Sequence, residues 1–316
     1  MGRRCIAASD EVICPATTCM ATTNAICHAG AVPVFADIDP RTFNLDPAQT
    51  ETVITPRTRA IMVVHQIGLP ADIEAFEAIA ARHGLCIVED GATAFGARYR
   101  GQPVGARGNP TCYSFHPRKM ITTGEGGMLM IAGAEKADRA RVLRAAGASI
   151  SDLERHKALG VLQQEYAEVG YNYRMTDMQA AMGVVQMKRL PEMLRQRAEQ
   201  ARTYTGRLSL LDEIAPPFVP EYADPCWSSY CITVRPAARH SRDQLIEAMA
   251  ARGISCRRGI PPLYAEPYFR SRHPHLQLPA ADSVAATTMF LPIFPGLTEG
   301  EQNRVIDALE QSLCAR

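Results

Sequence analysis

The sequence predicts an α/β fold: a mostly parallel central sheet sandwiched by helices, followed by a smaller α+β domain. Up to about Gln200, strand-like runs alternate with helix-like ones, as in a layered α/β unit. Within that region Ala60 to Asp90 reads as a complete βαβ unit. From about Thr205 the composition shifts, and Pro216-Pro217 and Pro220 mark a connection. The expected division is therefore 1–204 for the large domain and 205–316 for the small one.

Each element has a local reason. The run Asp10 to Pro15 reads as a strand. Ala60 to His65 is a continuous apolar run and reads as a buried strand. Asp72 to Arg82 reads as a helix, with Ile73, Phe76, Ile79 and Ala80 at helical spacing, and His83-Gly84 ends it. Leu85 to Asp90 is the next strand, parallel to the first across a right-handed crossover. Thr111 to Phe115 and Met128 to Ala132 read as strands, and Glu135 to Ala145 as a charged surface helix. Ile150 to Gln164 reads as less regular, a loop over the site. Thr176 to Tyr204 reads as one long helix or two joined at Pro191, because proline interrupts the hydrogen-bond ladder. Ser228 to Val234 reads as a strand, Arg242 to Arg252 as an amphipathic helix ended by Gly253, and Glu299 to Leu313 as a terminal helix.

One segment carries the chemistry: Ser114-Phe115-His116-Pro117-Arg118-Lys119, followed by the glycine-rich turn Gly124 to Gly127. The chain has only four lysines, Lys119, Lys136, Lys157 and Lys188, and its basic positions are mostly arginine. A lysine kept where arginine is the habit points to a primary amine that can lose its proton and attack a carbonyl. Asp90 stands at the carboxyl end of its strand, the edge where open α/β sheets bind ligands. An amine paired with a carboxylate there suits pyridoxal 5′-phosphate (PLP), whose ring nitrogen an aspartate keeps protonated. Ser114 could offer its hydroxyl to the phosphate. Alone, each residue has a plainer role: a turn-forming aspartate, a packed serine, a solvated lysine. Their order makes the joint signal more specific.

The chain resembles the DegT/DnrJ/EryC1/StrS family of nucleotide-sugar aminotransferases, which have the PLP-transferase fold type I. The resemblance runs from Asp10-Glu11-Val12-Ile13-Cys14-Pro15 to Leu291-Pro292-Ile293-Phe294-Pro295-Gly296-Leu297-Thr298. It takes in Pro33 to Pro40, Glu89-Asp90-Gly91-Ala92, the lysine segment and Gly170-Tyr171-Asn172-Tyr173-Arg174-Met175-Thr176-Asp177. It implies that Lys119 forms the Schiff base with PLP, Asp90 pairs with the pyridinium and Ser114 binds phosphate. Asn172 would reach the cofactor phosphate of a neighbouring subunit, in a homodimer with shared sites. The implied reaction moves an amino group from an amino acid, glutamate by analogy, to a keto-sugar nucleotide. Lys119 removes the donor's α-proton and returns it to the cofactor. Some members carry histidine in place of this lysine and dehydrate their substrates, and Lys119 argues against that branch.

Three departures stand out. Family members carry a longer stretch before the Asp10 strand, including a phosphate-binding helix start. Met1 to Ile6 falls where that helix should be ending, so the chain reads as a fragment, a displaced start or a shortened paralogue. Weaker PLP binding and an uncovered sheet edge beside Met128 to Ala132 are expected from it. Cys19 occupies the place of an aromatic ring stacked on the pyridine. Thr93 occupies the place of a glutamine near the ring oxygen, where a threonine can still donate a hydrogen bond. The alternative is a catalytically impaired homologue that acts as a binding or regulatory protein; a partial product that folds poorly is a third reading.

Composition limits the rest. The net charge of +1 gives no field that favours nucleic acid or acidic membranes. Ten cysteines include no C-x-x-C pair, and Cys86 and Cys112 fall in strands expected to be buried. Metal-ligand spacing is absent, and reduced thiols in a cytoplasmic enzyme are the simplest reading. No signal peptide or membrane-spanning run is apparent. His65 reads more naturally as a hydrogen-bonded core residue than as a catalyst. His116 either influences Lys119 or fixes the turn before Pro117. Asp37 and Asp39 read as turn residues beside Pro40. The glycines of 124–127 are expected to let the backbone pass close to the cofactor or a neighbouring subunit. Arg257-Arg258 could face a diphosphate.

Overall fold

The computed structural model describes residues 6–150, 155, 157–161, 163–166 and 168–314. Its central sheet contains β1 (Glu11–Pro15), β2 (Val32–Ala36), β3 (Thr58–Val64), β4 (Cys86–Asp90), β7 (Thr111–Ser114) and β8 (Gly127–Met130). Their spatial order is β2-β1-β3-β4-β7-β8. Every neighbouring pair is parallel except β7 with β8, which is antiparallel. The predicted βαβ unit is present, with α3 (Ile73–His83) between β3 and β4. α3 buries Ile73, Phe76, Ile79 and Ala80, the spacing read from the sequence. Gly84 ends it in the left-handed region, φ 65°, where glycine carries no Cβ penalty.

Further helices complete the first half: α1 (Met20–His28), α2 (Pro47–Thr52), α4 (Ala134–Arg144) and α5 (Asp177–Leu208). A small sheet joins β5 (Arg98–Tyr99), β6 (Gln102–Pro103) and β10 (Ala223–Asp224). α5 is a single helix of 32 residues that runs through Pro191, which decides between the two readings of that segment. Its start is fixed by a capping box in which Thr176 and Gln179 satisfy each other's backbone N–H groups. The loop expected at Ile150 to Gln164 falls partly outside the described residues, at 151–154, 156 and 162.

The second half contains β9 (Ile214–Ala215), β11 (Tyr230–Val234), β12 (Arg257–Arg258) and β13 (Thr288–Leu291), an antiparallel sheet in the order β12-β13-β11-β9. With it go α6 (Arg242–Ala251), α7 (Pro267–Arg270), α8 (Pro279–Thr287) and α9 (Glu299–Cys314). One core forms where Leu208 and Tyr204 of α5 meet Tyr230, Leu245, Met249, Ile306 and Leu309. Another carries the chain back to the first half: Phe35 of β2 packs with Tyr264, Phe269, Leu278 and Val284. The Phe35 and Phe269 rings meet edge-on at 5.2 Å.

Asp37 links the two halves. Its carboxylate accepts the N–H groups of Ile38 (2.9 Å), Ala280 (3.0 Å) and Ala281 (2.9 Å), so it caps α8 from the end of β2. Turn chemistry accounts for Asp39, which accepts the N–H of Arg41, and is only part of the account for Asp37.

Cys86 is half-buried and Cys112 exposed, against the buried positions expected for both. The cause is uneven cover: the core packs over β1 to β4, whereas all four residues of β8 are exposed at the sheet edge. Among the described residues β8 is the terminal strand of this sheet, with Met128 half exposed at 50%. Among the described residues no helix is long and apolar enough to cross a membrane.

Asp37→Ala should cost roughly 2 kcal/mol, because it strands buried helix N–H groups. Asp39→Ala should cost less than about 1 kcal/mol. Urea denaturation of the two variants measures the difference.

Candidate active site

The parallel register places the site. Val64 pairs with Asp90 and Asp90 with Cys112, so β3 and β4 end level at the carboxyl edge and β7 runs two residues further, to Ser114. His65 N–H donates to the Asp90 carbonyl (3.1 Å), and Gly91 N–H to that of Cys112 (2.9 Å).

The half-buried Asp90 side chain accepts two hydrogen bonds. The Thr22 hydroxyl donates to Oδ2 at 2.8 Å, and the Ala92 N–H donates to Oδ1 at 3.0 Å. Thr22 lies in the first turn of α1, so that helix begins against the end of β4. Cys19 is its N-cap residue, exposed and without a side-chain capping bond. The Thr93 hydroxyl donates to the His65 carbonyl (2.9 Å). Its proton is therefore committed, and Thr93 offers lone pairs rather than the donor expected of it.

His65 is a buried core histidine. Its Nδ1 accepts the Ala71 N–H (3.0 Å), which puts the proton on Nε2, 2.9 Å from Glu89 Oε2. Glu89 Oε1 accepts from Asn109, which also donates to Glu77, and Glu77 pairs with Arg107. The buried carboxylate beside Asp90 is thus tied to a surface arginine through an amide.

Ser114 ends β7. Its Oγ accepts the His116 N–H at 3.3 Å, which leaves the hydroxyl proton for a ligand. Lys119 follows in the turn, with its own N–H on the His116 carbonyl (2.9 Å). His116 Nδ1 accepts the Arg118 N–H, so this histidine fixes the turn. Lys119 is half-buried, and its amine has no hydrogen-bond or ion-pair partner among the described residues. The close approaches at the glycine turn are within the chain. A Cβ on Gly126 would meet Thr123 Oγ1 at 2.6 Å, and one on Gly127 the Tyr113 carbonyl at 2.8 Å.

Hydrogen bonds and strand register thus bring Asp90, Thr93, Cys19, Ser114 and the Lys119 turn to one edge. Asn172 is separate: it is exposed, its Oδ1 accepts from Arg174, and its backbone bridges to Ala145. Arg118, Arg257, Arg258, Ser228, Ser229 and Ser255 line a cavity of about 440 Å³ beside the lysine turn. Arg258 is paired with Asp243, whereas the Arg118 and Arg257 side chains have no partner among the described residues.

The sequence reading missed Thr18, Thr22 and the Glu89 network. A signal for the first two exists: Thr17, Thr18, Thr22 and Thr23 cluster where β1 turns into α1, at the ligand edge.

The donor set fits PLP: an unpartnered amine for the aldehyde, a strand-end carboxylate for the ring nitrogen, and a free hydroxyl proton for the phosphate. A helix-flanked, mostly parallel sheet with a strand-end carboxylate and a lysine turn at its carboxyl edge suits a transferase of the aminotransferase class. The chain belongs to the DegT/DnrJ/EryC1/StrS aminotransferase family, whose model matches residues 4–310. It is 38% identical over 312 residues to GDP-perosamine synthase of Caulobacter vibrioides, covering 98% of this chain and 80% of that protein. Among solved structures, S. venezuelae DesV in complex with a ketimine intermediate superposes with a TM-score of 0.90 at 35% identity, covering 98% of this chain and 80% of DesV. The sugar aminotransferase Spr1654 of Streptococcus pneumoniae, described as putative and solved in its PLP form, gives 0.88 at 26% identity. That match covers 98% of this chain and 81–82% of Spr1654 across its solved forms.

Glu89→Ala should destabilise the fold by about 3 kcal/mol, since it leaves the His65 N–H and an Asn109 N–H without their acceptor. Chemical denaturation with and without the substitution tests this.

Proposed function

We propose that this chain is a PLP-dependent enzyme that moves an amino group from an amino acid, glutamate, to a keto-sugar nucleotide. The observation that carries the reading is Lys119, whose amine has no partner among the described residues, in the turn after β7 at the sheet edge that ends in the Asp90 carboxylate. Family membership and the sugar-nucleotide name of the Caulobacter relative support the substrate class.

Asp90 would hold the ring nitrogen's proton, Ser114 would donate to the phosphate, and Cys19 would pack on the ring face. Thr93 would accept a hydrogen bond near the ring oxygen. Bound PLP supplies an electron sink for the pair left when a C–H bond breaks. Lys119 Nζ takes the proton from the donor's α-carbon and later returns it, one amine acting as base and then acid. The Arg118 and Arg257 guanidinium groups, without a partner among the described residues, suit a diphosphate at the cavity mouth. Asn172 would reach the phosphate of a second copy's site in a homodimer. Exposed Met128 and Met130 on β8, with Met178, Met182 and Val185 on α5, support that assembly. A cytoplasmic location agrees with the free cysteines found among the described residues.

Purified protein mixed with PLP should gain visible absorbance that borohydride fixes as added mass on the Lys119 peptide. Lys119→Ala should gain neither. A band that glutamate leaves unchanged would favour the impaired-homologue reading. Arg257→Ala should raise KM for the sugar nucleotide about tenfold with kcat nearly unchanged, because it removes ground-state binding. Steady-state kinetics separate the two parameters.

A further inference from the structure

We infer that Thr22, backed by Thr18, is a positioning residue that fixes the Asp90 carboxylate against the cofactor's ring nitrogen. This inference rests on the PLP reading above. Both threonines are 2% exposed. The Thr22 hydroxyl donates to Asp90 Oδ2 at 2.8 Å. Thr18 Oγ1 lies 3.0 Å from Thr22 Oγ1. A carboxylate only accepts, so the Thr22 proton points to Asp90, and Thr18 must donate to Thr22. The result is a directed chain in which each hydroxyl polarises the next. Thr18 precedes the Cys19 N-cap of α1 and Thr22 lies in its first turn, so the start of the helix brings the two hydroxyls together.

With the Ala92 N–H on Oδ1, each carboxylate oxygen has one protein donor. That pair stops the group rotating and keeps its negative charge solvated by fixed dipoles. A ring N–H that approaches the remaining lone pair then meets a carboxylate with little reason to take the proton. Without the Thr22 hydroxyl, Oδ2 has only the ring N–H, and the proton is drawn towards Asp90.

Thr22→Val keeps the shape and deletes the hydroxyl, whereas Thr22→Ser keeps the hydroxyl. Titrating apo protein with PLP should show affinity about tenfold weaker for Thr22→Val and within about twofold of wild type for Thr22→Ser. With ring-¹⁵N-labelled PLP, the nitrogen resonance should leave the protonated range in Thr22→Val and stay there in Thr22→Ser. Should Thr22→Val fail to fold, Thr18→Val carries the test, with a smaller shift in the same direction. Wild-type affinity and resonance in the valine variants would overturn the positioning role alone. A wild-type protein that takes up no PLP would overturn the functional reading and this inference with it.

Discussion

The site depends on a backbone constraint: three adjacent parallel strands are held in a register that brings their carboxyl ends to one edge. β3, β4 and β7 pair so that Val64, Asp90 and Cys112 share a row. Parallel strands send all their carboxyl ends to one edge, and each crossover must leave from there. The side chains that follow β1, β3, β4 and β7 therefore converge without being close in sequence. A slip of one residue in β4 would exchange Asp90 with Glu89, turning the site carboxylate into the interior and the His65 partner outward. The hydrogen bonds of Thr22 and of His65 with these two side chains hold that register from opposite sides of the strand.

A second constraint comes from buried polar groups along α5. Arg197 donates to the carbonyls of Trp227, Ser228 and Ile293, Gln200 to Phe294, and Tyr204 to Pro292. Burial pushes the Arg197 guanidinium down from its ordinary value, and its described partners are carbonyl dipoles. The receiving segments also form the wall of the cavity that Arg118 and Arg257 enter. One helix rooted in the first half thus shapes the cleft from behind. Its packing with Leu245, Met249 and Ile306 makes the wall stiff. A buried donor that lost its carbonyl would have no water to replace it, so the wall cannot open cheaply.

Much of this was legible in the sequence. The apolar spacing of Ile73 to Ala80 and the Gly84 stop gave α3, and the strands on either side followed from continuous apolar runs. Asp90, Ser114 and Lys119 could be picked out because position at a strand end is a local property. Contacts between distant segments were not legible. Nothing near Thr22 names Asp90, 68 residues away, and nothing near Asp37 names the start of α8. Pro191 left two readings of its segment open. Its missing N–H argues for a break, yet α5 runs through it, and the half beyond it is anchored by buried Met193, Ala201, Tyr204 and Leu208, because tertiary contacts outweigh one lost hydrogen bond.

Burial across the sheet points to what completes the site. β1 and β3 are almost wholly buried, β4 alternates between buried and half-buried, β7 is partly covered and β8 is exposed throughout. The lysine turn and the carboxylate stand where that cover gives out, since Asp90 ends β4 and Lys119 follows β7. Proton transfer at a carbon needs water kept from the reacting atoms, and α1 and β1 wall off only one flank. In the proposed enzyme a second copy would cover the other flank, on the side where β8, the apolar start of α5 and Asn172 are exposed. That asymmetry is the physical ground for the two-copy site proposed above: a second molecule would bury the methionines of β8 and α5 and close the open flank.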